Sequence, residues 1–297
     1  MAAKYLVVVV LLCLGISGCA AMQPPDASGP RSNAPAYPIV IAAEESRREE
    51  TAIAWRRLSQ RYGMNDATSL ELEPGTSTLK ELPTGLAATL PKVGDANPTE
   101  EDYRDSLRRF ITEWQPLLGA DPAQLSLVER VDEPSGVKVA KYEQRPFRYP
   151  LRGGYGNLII RFRADRQIVG LSSNCLPNVD RVQPAIAALN ATIGAEEVAT
   201  LLRDGPQTIT DAAGATQTLT FTGSQNIEPK QLVIYALNSL SEAVRTGSSS
   251  DRADQSATTP GGIELHLCWE IDVTNAPIKT VYLDAVTGKV VAAATGF

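Results

Sequence analysis

Between Asn157 and Arg163 the chain alternates with a period of two: Leu158, Ile160 and Phe162 fall on one side, Asn157, Arg161 and Arg163 on the other. That period belongs to a half-buried strand and fixes which face must find a core. Ala164-Asp165-Arg166-Gln167 interrupts the pattern with polar turn-formers, and Ile168-Val169-Gly170-Leu171 resumes it. The reading is a hairpin whose two arms share one apolar face. It is scaffold and carries no chemistry of its own.

Around it, 297 residues with 43% hydrophobic and 21% charged composition make an ordinary globular mixture, enough for one large or two modest cores. A net charge of −6, a single histidine and the lack of a long basic run argue against a nucleic-acid partner.

Three helices are predicted. One runs from Glu44 to Tyr62, with Ala52, Trp55, Leu58 and Tyr62 near one face, a solvated charge run EESRREE at its start and Gly63 at its end. A second follows Thr99, whose hydroxyl and the carboxylate of Asp102 have capping-box spacing; Tyr103, Leu107, Phe110, Ile111, Trp114 and Leu118 then form a core stripe closed by Gly119. A third spans Ala195–Arg203. Residues 64–98, broken by Pro and Gly, read as short extended pieces without identifiable partners.

Further strands are expected at 216–221 and 231–237, with a polar loop over 247–262. The cleanest alternation is Ile263, Leu265, Leu267, Trp269, Ile271 and Val273 against Glu264, His266, Cys268, Glu270 and Asp272; strand, turn at Gly288 and strand follow over 280–291.

The N-terminus reads as an address. Lys4, an apolar run from Leu6 to Leu14 and Ile16-Ser17-Gly18-Cys19 resemble a bacterial lipoprotein signal, with residues 1–18 removed and Cys19 the lipid attachment site. The other reading is an ordinary secretory signal cleaved near Ala20 or Ala21. Acylated Cys19 would hold the chain in membrane lipid on the exported side, at the periplasmic face of the outer membrane if the source is Gram-negative. Residues 19–38, with five prolines, read as an extended tether at about 3.1 Å per residue. Residues 39–98 then hold the first helix and the extended segment.

Leu118, Gly119, Leu125, Leu127, Val128, Tyr142, Gln144, Pro150, Leu151, Gly153 and Gly154, leading into the hairpin, resemble the FTP region in the propeptide of thermolysin-like metallopeptidases. The helix at Ala195 and the ending "LCWEIDV" and "VYLDAVTGKVV" resemble the PepSY half of the same propeptides. The resemblance implies an α+β fold in which antiparallel sheets wrap helices in two successive halves, FTP-like over 99–183 and PepSY-like over 184–297. Arg148, Arg152 and Arg166 stand where the family has glycine, an aromatic and glycine, so different backbone geometry is expected at both turns. Arg145, Arg148 and Arg152 are either a docking patch or ordinary surface arginines.

In that family the prosegment binds its own catalytic domain, assists its folding and restrains it; here the sequence stops at Phe297, where the protease would begin, and a client would be supplied in trans. No HExxH, GxSxG or phosphate-binding glycine loop occurs in the sequence. The expectation is a non-catalytic envelope lipoprotein, without catalytic residues, metal or cofactor, that binds, restrains or helps fold an exported protein, a metallopeptidase among the candidates. The alternatives are an envelope assembly module that keeps the fold without a protease client, and a small enzyme built on carboxylates. Export would place Cys175 and Cys268 in an oxidising compartment, where a disulfide closing about 90 residues would add roughly 4 kcal/mol. Two free thiols, or a metal site of His266, Cys268, Glu270 and Cys175, are the other readings.

Overall fold

The computed structural model describes residues 36–42, 45–63, 70–83, 85–94, 98–210, 216–238 and 262–295. The signal, Cys13, Cys19, most of the tether and the loop over 247–261 lie outside the described residues. The fold is α+β, with four helices and twelve strands among the described residues.

Helix α1 (Glu45–Arg61) lies against α2 (Glu100–Leu118), burying Trp55 and Leu58 beside Trp114 and its neighbours. The predicted cap on α2 is present. Thr99 accepts from the Asp102 amide while Asp102 accepts from the Thr99 amide, and Gly119 ends the helix at φ 77°. Phe110 stacks on Trp114 at 4.9 Å, and both are fully buried. Each is an aromatic side chain whose removal from water is worth about 2–3 kcal/mol.

That stripe packs on a four-stranded antiparallel sheet of β2 (Leu125–Asp132), β3 (Val137–Gln144), β5 (Asn157–Arg163) and β6 (Ile168–Ser173), in the order β2-β3-β5-β6. Leu158, Ile160 and Phe162 are fully buried against α2, and Asn157, Arg161 and Arg163 are exposed, as the alternation requires. Residues from 79–83 and 85–90 close the outer edge of β6: Ser173 donates to Leu79 O, Ile168 to Ala88 O, and Leu90 donates to Arg166 O.

Between β3 and β5 the chain leaves this sheet. Its two-residue strand β4 (Leu151–Arg152) pairs in parallel with β9 (Asn226–Asn238) of a second sheet. That sheet runs β12 (Val290–Thr295), β11 (Ile278–Asp284), β10 (Gly262–Thr274), β9, β4. Strand β1 (Ile39–Ala42) joins it from the N-terminal side, pairing with β10 at Gly262–Leu265, while β11 pairs with β10 at Cys268–Asp272. The two strands therefore share one edge of β10, end to end. Helices α3 (Val179–Ala187) and α4 (Ala195–Arg203) cover one face, α3 over Ile263, Leu265 and Leu267, α4 over Ile271 and Val273, with Trp269 between. A small hairpin, β7 (Gln207–Thr210) and β8 (Thr216–Leu219), completes the body.

At the first hairpin's turn the expected change of geometry is not found. Arg166 takes φ 73°, the left-handed conformation a glycine would take. Its guanidinium is tied down, donating to Pro91 O at 3.3 Å and Val93 O at 3.1 Å.

Candidate functional site

The alternation in β10 sends Glu264, His266, Cys268, Glu270 and Asp272 to the face opposite the helices, and two polar clusters form there. The first is built on Asp284, which is 2% exposed. Its Oδ2 accepts from His266 Nδ1 at 2.9 Å and from the Tyr37 hydroxyl at 2.8 Å, while Oδ1 accepts from the Val286 and Thr287 amides. Burial works against this carboxylate, but the hydrogen bonds from His266, Thr287, Tyr37 and Val286 prevail and hold it below the usual range.

His266 Nε2 lies 3.4 Å from Glu264 Oε2, and the Tyr37 ring meets the imidazole edge-on at 5.9 Å. Tyr37 also accepts from the Leu267 amide at 3.1 Å, which falls between the stretches of β10 taken by β1 and β11. The imidazole is thus built into the joint between three strands.

Cys268 lies opposite Asp284 in the sheet register, and Cys175 belongs to the core under α2. Both are buried and unbonded, so the expected staple is replaced by two separate thiols. The reason is packing: Cys175 fills the first core beside the end of α2, and Cys268 sits on the face of β10 turned away from the helices. Burial pushes the Cys175 thiol up to about 11, and burial together with Asp284 pushes Cys268 well above its ordinary value, so neither is a ready thiolate. Cys175 does not join His266, and among the described residues no group of three or more His, Cys, Asp and Glu side chains has a metal-binding arrangement.

The second cluster opens into a cleft. Its wall is the loop that carries β4 across to β9, and its lining includes Arg145, Arg148, Arg152, Phe147, Tyr149 and, from β11, Tyr282, around a cavity of about 660 Å³. Gly153 is required by the crossing: at φ 92° a Cβ would stand 2.1 Å from Ala236 O. Arg152 Nε donates to Glu270 at 2.8 Å, and Gln231 donates to the other Glu270 oxygen at 2.7 Å. Burial opposes the Glu270 charge, but Arg152 and Gln231 outweigh it and keep this carboxyl below its usual range. Tyr235 packs on Tyr282 at 4.6 Å beside them. Arg145 pairs with Glu143 at 3.2 Å, and Arg148 lies over the Tyr149 ring at 5.4 Å.

The structure places Arg145, Arg148 and Arg152 around one cleft. The aromatic walls went unseen in the sequence, because Tyr282 reaches the cleft from more than a hundred residues away and nothing in its own strand pattern points there.

Among the described residues no helix is long and apolar enough to cross a membrane. Comparisons with protein-family models and with curated proteins gave no match to this chain.

Proposed function

We propose that the chain is a non-catalytic, exported protein, anchored through Cys19, whose body binds a segment of another exported protein at the cleft between the β4 loop and β11. The observation that carries this reading is the lining itself: arginines and aromatic rings around a recess large enough for several residues. Those residue types are enriched where proteins meet. The burial of both thiols, Cys175 in the core under α2 and Cys268 beside Asp284, is in keeping with it. Resemblance to a metallopeptidase prosegment makes an exported metallopeptidase the first client to try.

The test is site-specific crosslinking in the source cells. A photoreactive residue at Tyr149 is expected to capture a discrete exported protein, and one at Val169, exposed on β6 in the other sheet, is not. Equal capture at both positions, or none at Tyr149, would overturn the reading. Replacing Cys19 with Ala is expected to move the protein from the membrane to the soluble fraction; retention in the membrane would remove the anchor from the account.

A further inference from the structure

We propose that the cleft takes an extended acidic peptide segment and that Arg148 is the guanidinium that receives its carboxylate; this rests on the binding role just described. The three arginines differ in what they already hold. Arg152 has Glu270 and Arg145 has Glu143, whereas Arg148 has no carboxylate partner among the described residues. Its guanidinium carbon lies 5.4 Å from the centre of the Tyr149 ring, and the side chain lines the recess. A guanidinium with no carboxylate of its own is a planar fork free for bidentate recognition of one from a ligand.

The charge is local and runs against composition. Three arginines stand at the cleft against two carboxylates, Glu143 and Glu270, which leaves the charge of Arg148 unbalanced there in a chain whose net charge is −6. An acidic ligand is therefore drawn to this recess and repelled by the chain as a whole.

Size and walls select a peptide over a small anion. About 660 Å³ is far more than a free phosphate fills, and Phe147, Tyr149, Tyr155 and Tyr282 offer rings for the side chains flanking an acidic residue. Strand addition along β9 does not compete with this mode. Pro229 lacks an amide hydrogen and Lys230 puts a charge on the strand, two ordinary guards of a free edge. Recognition then falls to side chains in the cleft. A lipid phosphate carries similar charge, but a bilayer surface is flat and this guanidinium lines a recess.

The experiment uses the full chain in detergent and two fluorescent blocked decapeptides, Ala-Glu repeats and Ala-Gln repeats, followed by anisotropy. The acidic peptide is expected to bind roughly tenfold more tightly than its neutral counterpart, to lose that advantage in Arg148→Gln, and to keep it in Arg108→Gln, which lies outside the cleft. Unchanged melting of Arg148→Gln would show that the loss is not unfolding.

Equal binding of the two peptides, or an acidic preference that survives Arg148→Gln, would overturn the inference while crosslinking at Tyr149 still upheld the binding role. Loss of that crosslink as well would remove both. Phosphatidylglycerol vesicles retained through Arg148, with neither peptide bound, would overturn it in favour of lipid.

Discussion

The Tyr37 hydroxyl does two things at one atom: it accepts the Leu267 amide in the gap between β1 and β11, and it donates to Asp284. Tyr37→Phe leaves a backbone donor and a buried carboxylate each short of a partner, so a loss of about 2 kcal/mol is expected, seen as a lower urea midpoint at unchanged slope. Asp284 extends the argument to pH. Its carboxyl is held below its unfolded value near 3.9, so the stability it contributes is complete above about pH 4 and is lost as the pH falls through the lower folded value. Asp284→Asn is therefore expected to be less stable at pH 7 and to lose less on acidification below about pH 4. Parallel acid limbs for the two proteins would contradict this. Cys175 and Cys268 are expected to resist maleimide in the native protein and to label once guanidinium has unfolded it without reductant, as read from peptide masses. Labelling only after reduction would restore the disulfide.

At the scale of elements, the β5–β6 turn weighs backbone against side chain. Arg166 in the left-handed region costs about 1–2 kcal/mol that Arg166→Gly would recover, but the glycine gives up about 0.4–1 kcal/mol to the freer unfolded chain and two hydrogen bonds of about 0.5–1.5 kcal/mol each. The variant is expected to be destabilised by about 1 kcal/mol, checked by urea unfolding; a gain would mean that the bonds to Pro91 and Val93 contribute nothing. At β4 the balance has one side only. Gly153→Ala drives a Cβ into Ala236 O, so the strand is expected to leave β9 and the cleft to lose its wall, with amide exchange at Ile234, which donates to Pro150 O, becoming faster. The same two places show what could be read from sequence. The alternations at 157–163 and 263–273, the Thr99 cap and the Ala195–Arg203 helix were legible because each is set within one element. Helix α3 was not: Pro184 breaks its pattern and Asn178 gives no side-chain cap, leaving Val179, Val182 and Ile186 as the faint trace. Strand β1 is four residues beside a proline-rich stretch, and β4 is two residues, so both exist only because another strand receives them. The arginines of the cleft could be named in advance, but their meeting with Tyr282 depends on that same pairing of β4.

Across the whole body, strands are exchanged between regions that look separate in the sequence. The loop inside the first sheet supplies β4 to the second, the segment before α1 supplies β1, and Ile39 and Ile41 from β1 fill the core under α3. Gln144 at the end of β3 and Leu176 after β6 are joined by a reciprocal pair of hydrogen bonds, 2.9 Å from Gln144 Nε2 to Leu176 O and 2.8 Å from the Leu176 amide back to Gln144 Oε1. Melting the first sheet would free β4, release Arg152 from Glu270 and undo this clasp, so the second sheet loses an edge strand and part of its core in the same step. The expected result is one cooperative transition. The tryptophans allow a direct check, because Trp55 and Trp114 lie in the first core and Trp269 between the other two. Emission from Trp269→Phe reports the first sheet, and emission from the Trp55→Phe/Trp114→Phe double variant reports the second. Each curve is expected to coincide with far-ultraviolet circular dichroism of the same variant, and residues 184–297 expressed alone are expected to stay unfolded, lacking β1, β4 and the start of α3. Two separated midpoints within either variant, or a dispersed amide spectrum from the isolated fragment, would show that the sheets stand independently and that the exchanged strands are decoration on each.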